Sequence, residues 1–235
     1  MMQHMATSPA GKRYERFRSV EAAAVAGIAF AVFYIVSLVL LRRQPGPEAD
    51  LAELADFYGD EGNRSLVILG LNLAVFSAIA FLWFIAVIRR RIGDREDRFF
   101  ATVFLGSGLL FLGSMLVGAA SYSSAVVTME LLGGTTPGAA AVGFGTGLAS
   151  GLSLVVVPRL TAVFVLTTST LVLRSGRIQR WVAILGYIVA VLLFVVPLFL
   201  QPLGYLFAVW VAVVSGALLV RDFKPDDPAE EAEPA

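Results

Sequence analysis

The sequence predicts an all-α, polytopic membrane protein with six transmembrane helices and both termini in the cytoplasm, and three observations carry that expectation. Hydrophobic residues make up 57% of the 235 and charged residues 15%, with a mean hydropathy of +0.79. Soluble domains carry a larger charged fraction, about 25%. Six apolar runs approach or exceed the roughly 20 residues that cross a hydrocarbon core about 30 Å thick. They lie at about 20–41, 65–88, 99–127, 146–173, 181–200 and 203–220. Finally, the basic residues sort to one side of those runs.

That sorting gives the orientation, because cytoplasmic segments of membrane proteins are enriched in Lys and Arg. Lys12, Arg13, Arg16 and Arg18 precede the first run, and Arg89, Arg90, Arg91, Arg95 and Arg98 join the second to the third. Arg174, Arg177 and Arg180 join the fourth to the fifth, and Arg221 and Lys224 follow the sixth. The first outer loop, 42–64, holds Arg42, Arg43 and Arg64 against Glu48, Asp50, Glu53, Asp56, Asp60 and Glu61. The first run has the basic flank of a signal peptide, but its apolar part is too long for an h-region and no small-residue cleavage site follows in RRQPGPEAD. It is expected to be a retained helix.

The segments outside the apolar runs say less. Residues 1–19 are expected to form a cytoplasmic tail, polar and disordered at its start, MMQHMATSPAG. In the outer loop, Asp50 and Glu53 have capping-box-like spacing, and Leu51, Leu54, Ala55 and Tyr58 recur at helical intervals. A short helix ending near Gly59 is expected there, as an interfacial lid or spacer or as a partner-binding helix. NRS at Asn63 matches a glycosylation acceptor by chance. The RRRIGDREDR loop mixes charge signs and holds its two helices inside, with head-group or protein docking as the alternative. Residues 221–235 include the acidic, Pro-rich DFKPDDPAEEAEPA and are expected to be a disordered tail.

The third and fourth runs have outer halves rich in small and hydroxylated residues: Gly118, Ser121, Tyr122, Ser123 and Ser124, then Gly143, Gly147 and Gly151. The last three form a G-x-x-x-G-x-x-x-G ridge that lets another helix backbone approach. Helix packing within the chain is the expected use, with self-association as the alternative. GGTTPG, 133–138, supplies the turn between these runs.

The inventory of chemistry is thin. There are no cysteines, which removes thiol chemistry and Cys-ligated metal. The single histidine, His4, lies in the N-terminal tail, which argues against bis-His haem, a His-bound metal centre and a Ser-His protease. No carboxylate falls deep in a run, so a proton-coupled pump lacks its usual embedded titrating group. No catalytic residue, metal or cofactor is therefore expected, and the protein is not expected to be an enzyme.

What remains is a layer of polar residues whose height follows from counting along the runs. Arg159 begins roughly 7 Å below the outer surface, with Asn72 and Ser37 at similar depth and Tyr122 just above. Two readings of Arg159 stand open. In one, it leans toward its helix amino terminus, reaches the outer interface and satisfies the carbonyl near Leu154 that Pro158 leaves without a donor. In the other, Arg159, Asn72, Tyr122 and Ser37 line an outward-facing pocket for an anionic group or lipid head.

The segment ADFYGDEGNRSLVILGLNLAVFSAIAFLWFIAVIRRRIGDREDRFFATVFLGSGLLF, residues 55–111, resembles in layout an uncharacterised multi-pass inner-membrane protein family of high-GC bacteria, of the domain-of-unknown-function type. The shared layout is a first helix, an acidic outer segment and paired helices joined by basic loops. The resemblance implies a bacterial inner-membrane location and no activity. The expected function is a non-enzymatic membrane component that binds a lipid, a small anionic ligand or a protein partner. The alternative is a small transporter or channel subunit with a pocket around Arg159. No nucleic acid partner is expected.

Overall fold

The computed structural model describes residues 9–46, 48–92, 98–134, 138–175, 180–195 and 203–222. Every regular element among them is helical. They are α1 (Pro9–Leu41), α2 (Leu51–Gly59), α3 (Glu61–Ile92), α4 (Arg98–Glu130), α5 (Ala139–Gly151), a π turn (Leu152–Val156), α6 (Val157–Ser175), α7 (Arg180–Val195) and α8 (Leu203–Asp222). Three stretches among the described residues are long and apolar enough to cross a membrane: Glu61–Arg89, Phe99–Glu130 and Ala139–Arg174. Three shorter apolar helices accompany them: Val25–Leu41, Arg180–Val195 and Gly204–Leu219.

α1 begins at Pro9, so Pro9, Ala10 and Gly11, at the end of the stretch expected to be disordered, are helical. A proline at a first helical position lacks only an N–H that would have had no partner there, and the run that follows has no further proline or glycine before Gly27 apart from Gly11. Residues 1–8, with His4, and most of the acidic tail lie outside the described residues; Arg221 and Asp222 belong to α8.

Two aspartates organise the segment between α1 and α3. Asp50 caps α2, its Oδ1 accepting from the Ala52 and Glu53 amides at 2.9 and 2.8 Å. Asp60 caps α3 by accepting from the Asn63 amide at 2.7 Å, so α2 and α3 are separated by a single residue. After α4, Gly133 turns the chain at φ 64°, a left-handed conformation open to glycine, and the Gly134 amide bonds back to the Thr128 carbonyl at 3.0 Å.

α1 packs along α3 and α8, α6 against α4 and α7, and α4 against α3 and α5. The main core is a block of aromatic rings. Phe81 lies 4.7 Å from Phe30, 5.2 Å from Phe111 and 5.1 Å from Phe164, and Phe207 closes on Phe111 at 5.0 Å. Five helices thus meet on fully buried rings in edge and tilted arrangements, the geometry that ring quadrupoles favour. A second, smaller cluster gathers Leu41, Leu54, Tyr58, Val67, Val126 and Val142 where α2 lies against the ends of α1, α3 and α4. This cluster marks the α2 end of the bundle.

The ridge Gly143, Gly147 and Gly151 does not serve the packing expected of it within the chain. A side chain at any of the three would meet nothing within 4 Å, and Gly147 and Gly151 are exposed. The close contact on α5 is made instead by Gly145, where a Cβ would stand 2.6 Å from Ser124 Oγ and 2.7 Å from the Ser121 carbonyl. A helix advances about 100° per residue, so Gly145 lies some 160° away from both Gly143 and Gly147. Two other close crossings also pair glycine with serine. Gly27 faces Ser215 between α1 and α8, and Gly186 faces Ser169 between α6 and α7.

Candidate functional site: a cavity at the α2 end

Along α1 and one residue past its end, Tyr34, Leu38 and Arg42 recur every four residues, and Ser37 and Leu41 do the same beside them. That spacing puts all five on one helical stripe. The stripe borders a cavity of about 80 Å3, whose opposite walls come from Met115, Gly118 and Tyr122 of α4, Val157, Pro158 and Thr161 of α6, and Phe207 of α8. The space exceeds what a single water needs. Its walls are mostly apolar, and Arg42 is the one charged residue among the described residues that line it.

The cavity sits where the aromatic block ends. Phe207 belongs to both, and Tyr34 stacks on Phe30 at 5.3 Å and also lines the cavity. Arg42 is half-buried and lies over the Tyr205 ring, 5.5 Å from its centroid, a cation–π distance. Ser37 is buried and its hydroxyl donates to the Gly70 carbonyl at 2.7 Å, so its polar atom ties α1 to α3. Ser153, in the π turn, likewise donates to the Ala149 carbonyl.

Thr161 behaves differently. Thr128, Thr146, Thr167, Thr168 and Thr170 each donate to the carbonyl four residues back. The Thr161 hydroxyl is buried with no hydrogen-bond partner in the structure. Ser169, Trp210 and Ser215 also hold buried polar atoms without partners, but the two serines are pressed against the glycines that their helices cross, and Trp210 Nε1 is at the same Gly186 crossing. Thr161 is the member of this group that lines the cavity.

Of the four residues singled out for a pocket, the structure brings Ser37 and Tyr122 to the cavity wall and leaves Asn72 and Arg159 off it. Asn72 is exposed and donates to the Ile68 carbonyl at 2.8 Å in its own helix. Arg159 is exposed and donates to the Val155 carbonyl at 2.7 Å. Its acceptor is one residue beyond the Leu154 carbonyl expected from Pro158, because a residue four positions back lies directly beneath an arginine on a helix. The neighbours Pro158 and Thr161 occupy the cavity face, and the turn per residue rotates Arg159 away from it.

The backbone is irregular at this point. In the π turn, the Val157 amide bonds to the Leu152 carbonyl five residues back, directly before Pro158, which has no amide hydrogen to give. One extra residue per turn shifts the register of the faces between α5 and α6. The Gly143–Gly151 stripe consequently does not continue onto the cavity face.

α2 roofs the neighbouring cluster. Tyr58 is buried with its hydroxyl 3.5 Å from Gln44 Oε1, and Gln44 Nε2 donates to the Leu41 carbonyl. Burial pushes the Tyr58 phenol above its ordinary value, and the nearby Tyr122 adds to the rise. The last turn of α2 is held by Arg64, which donates to the Tyr58 and Gly59 carbonyls at 2.7 and 3.0 Å and pairs with Glu130 at the end of α4. A cation at a helix C-terminus complements its dipole, so one arginine joins α2, α3 and α4.

Arg42 escaped the sequence reading because it was counted with the outer-loop charges. The signal that finds it is the stripe itself: a tyrosine, a leucine and an arginine at four-residue spacing, ending where the apolar run ends. Among the described residues, no group of His, Cys, Asp and Glu is placed to hold a metal ion. Comparison with protein-family models, with curated proteins and with solved structures finds no match to this chain.

Proposed function

We propose that the chain is a six-span bacterial inner-membrane protein with both termini in the cytoplasm, which acts without catalysis by binding a lipid or small ligand in the cavity at the α2 end. The observation that carries this reading is the cavity itself, apolar-walled, lined from six helices and with Arg42 as the one charged side chain among its described lining residues. Such concave, mostly apolar spaces with a few polar groups are where ligands are held. The six-span topology draws on sequence runs 20–41, 181–200 and 203–220, which bring the three shorter apolar helices to or near spanning length. Basic loops on one side support the orientation.

Two experiments test it. The chain has no cysteine, so single cysteines can be placed without removing any. Glu53→Cys is expected to react with an impermeant maleimide from outside intact cells, and Asp226→Cys only after permeabilisation; equal labelling of both would refute the topology. For the cavity, Gly118→Leu adds a side chain at a wall position whose nearest neighbour is Leu152 at 3.8 Å. Wild-type protein extracted in mild detergent is expected to carry a bound molecule in native mass spectra, and the variant to lose it while remaining folded. Retention by the filled variant would move the site elsewhere.

A second reading, a small transporter or channel subunit, draws on the π turn and Pro158 breaking the long helix Ala139–Arg174 beside the cavity. Interrupted helices beside binding sites are a feature of transporters. It differs in requiring flux across proteoliposomes, which the first reading does not.

A further inference from the structure

We infer that the chain forms a parallel dimer through the outward face of α3, with Asn72 of one copy hydrogen-bonded to the same residue of a second copy. This rests on the membrane topology proposed above, with α3 as a spanning helix, and does not depend on what the cavity holds.

Leu69, Asn72, Phe76, Ile79 and Trp83 are all exposed, and their spacing alternates between three and four residues. At about 100° per residue the five fall within an arc of about 80°. The buried residues Val67, Ala74, Ala78, Phe81 and Ile85 occupy the opposite side of the helix. Such a seam suits two helices crossing at about +20°, the usual left-handed packing of membrane bundles. Phe76 also meets Phe33 of α1 at 6.3 Å, so the face widens onto the neighbouring helix.

Apolar side chains alone are satisfied by lipid. The outward stripes of α1, with Val25, Val32 and Val39, and of α7, with Ile184, Ile188 and Val191, need nothing more. Asn72 makes α3 different. It lies roughly 16 Å along the helix from Glu61 and roughly 25 Å from Arg89, too short to reach either end as a lysine or arginine would. A carboxamide has two N–H donors and an oxygen with two acceptor sites. One donor goes to the Ile68 carbonyl, and the amide makes no other hydrogen bond among the described residues. Ser121 and Thr170, by contrast, commit their only donor to a carbonyl of their own helix. Hydrocarbon offers nothing to the remaining N–H and oxygen of Asn72, and polar groups left unmet there are costly.

A second copy of the chain meets both. Copies that insert with the same orientation present the same residue at the same height, so Asn72 of one faces Asn72 of its neighbour. The carboxamide is donor and acceptor at once, and two of them related by a two-fold axis close a reciprocal pair. One polar residue in an apolar seam also fixes the register of the helices. A different protein would have to bring a matching polar group to this height, whereas the chain brings its own.

The test uses the full chain in native membranes. It has no cysteine, so Leu69→Cys, Ile79→Cys and Trp83→Cys can be made singly with Asn72 in place and oxidised with copper phenanthroline. Each is expected to give a disulfide-linked species of twice the chain mass. Val75→Cys and Ile188→Cys, exposed but off the seam, are expected to give little. In lipid bilayers, with subunits counted by single-molecule photobleaching as protein density is varied, Asn72→Leu is expected to weaken association about three- to fifteenfold, the range that interhelical hydrogen bonds in membranes give. Asn72→Gln keeps the carboxamide and is expected to recover part of the loss.

Absent cross-links along the seam, or equal ones at the control positions, would overturn the interface with Asn72 unchanged and no folding of that variant at issue. A cross-linked species of another mass would assign the face to a different protein. Loss of the dimer in Gly147→Val but not in Asn72→Leu would move the contact to the outward stripe of α5. Release of the chain from membranes by alkaline carbonate would sink the membrane reading and the dimer together, whereas a chain that stays in the membrane as a monomer would sink the dimer alone.

Discussion

The two halves of the bundle are held by different means. In one, rings from α1, α3, α4, α6 and α8 fill the space between helices, and Phe30, Phe81, Phe111 and Phe164 have no exposure at all. In the other, at the α2 end, the buried cluster is smaller and helices are tied by polar bonds such as Ser37 to Gly70 and Arg64 to Glu130. The cavity opens along the line where the first regime gives way to the second. Close packing leaves no room for a ligand, so a bundle that needs both stability and a binding space does well to separate them.

The largest test of that division removes a ring from the packed half. Phe81 touches Phe30, Phe84, Phe111, Phe164 and Phe207, and Phe81→Ala leaves a void that five neighbours on other turns cannot all collapse into. A loss of about 3–5 kcal/mol is expected on the scale of large-to-small core substitutions. It would be measured as the shift in the SDS-denaturation midpoint in mixed micelles. A loss no greater than that of an exposed-residue control such as Phe76→Ala would mean that the aromatic block is not the main source of stability.

Next in size are the glycines. A Cβ at Gly27 would overlap the Ser215 hydroxyl and stand 2.9 Å from Phe84, so Gly27→Val is expected to destabilise by about 1–3 kcal/mol, the range for overpacking. Gly147→Val, with nothing within 4 Å, is expected to change monomer stability little. A drop in oligomer size on gel filtration or crosslinking for the Gly147 variant would instead give the outward stripe a role between copies of the chain.

At the α2 end, Arg64→Gln removes the pairing with Glu130 and the donors to two α2 carbonyls. The expected loss is about 1 kcal/mol, since partly exposed pairs contribute modestly and the carbonyls regain water. The charge-swapped pair Arg64→Glu with Glu130→Arg is expected not to recover it, because position 64 would no longer have N–H groups to give α2. Full recovery would show that the ion pair alone matters. Hydrogen exchange is expected to rise first in residues 51–59, the segment that the clamp holds.

How much of this was readable beforehand depends on the kind of information. Height was readable: counting along the apolar runs put Ser37 and Tyr122 in one layer, and both line the cavity. Rotation was not, because helices that are apolar on most faces give no amphipathic direction. Gly143, Gly147 and Gly151 made the more conspicuous motif, yet the single Gly145 between them makes the contact. The π turn adds a register shift that no residue-by-residue count along an ideal helix contains. Arg42 was missed for a related reason. A basic residue just past an apolar run reads as a loop anchor, and its place in the site depends on α8, far away in sequence, bringing Gly204 and Tyr205 beside it.

The smallest expected effect belongs to the residue that looked most conspicuous. Arg159 is exposed, its guanidinium is engaged by the Val155 carbonyl, and it is absent from the cavity wall. Arg159→Leu exchanges that bond for an apolar side chain on an outward face, where substitutions stay within about 0.5 kcal/mol. The denaturation midpoint and the bound molecule in native mass spectra are both expected to match wild type. If the variant instead lost the bound molecule while Arg42→Gln kept it, the site would lie on the outer face of α6 beside the π turn, and the binding half of the bundle would have to be redrawn around Pro158 from the other side.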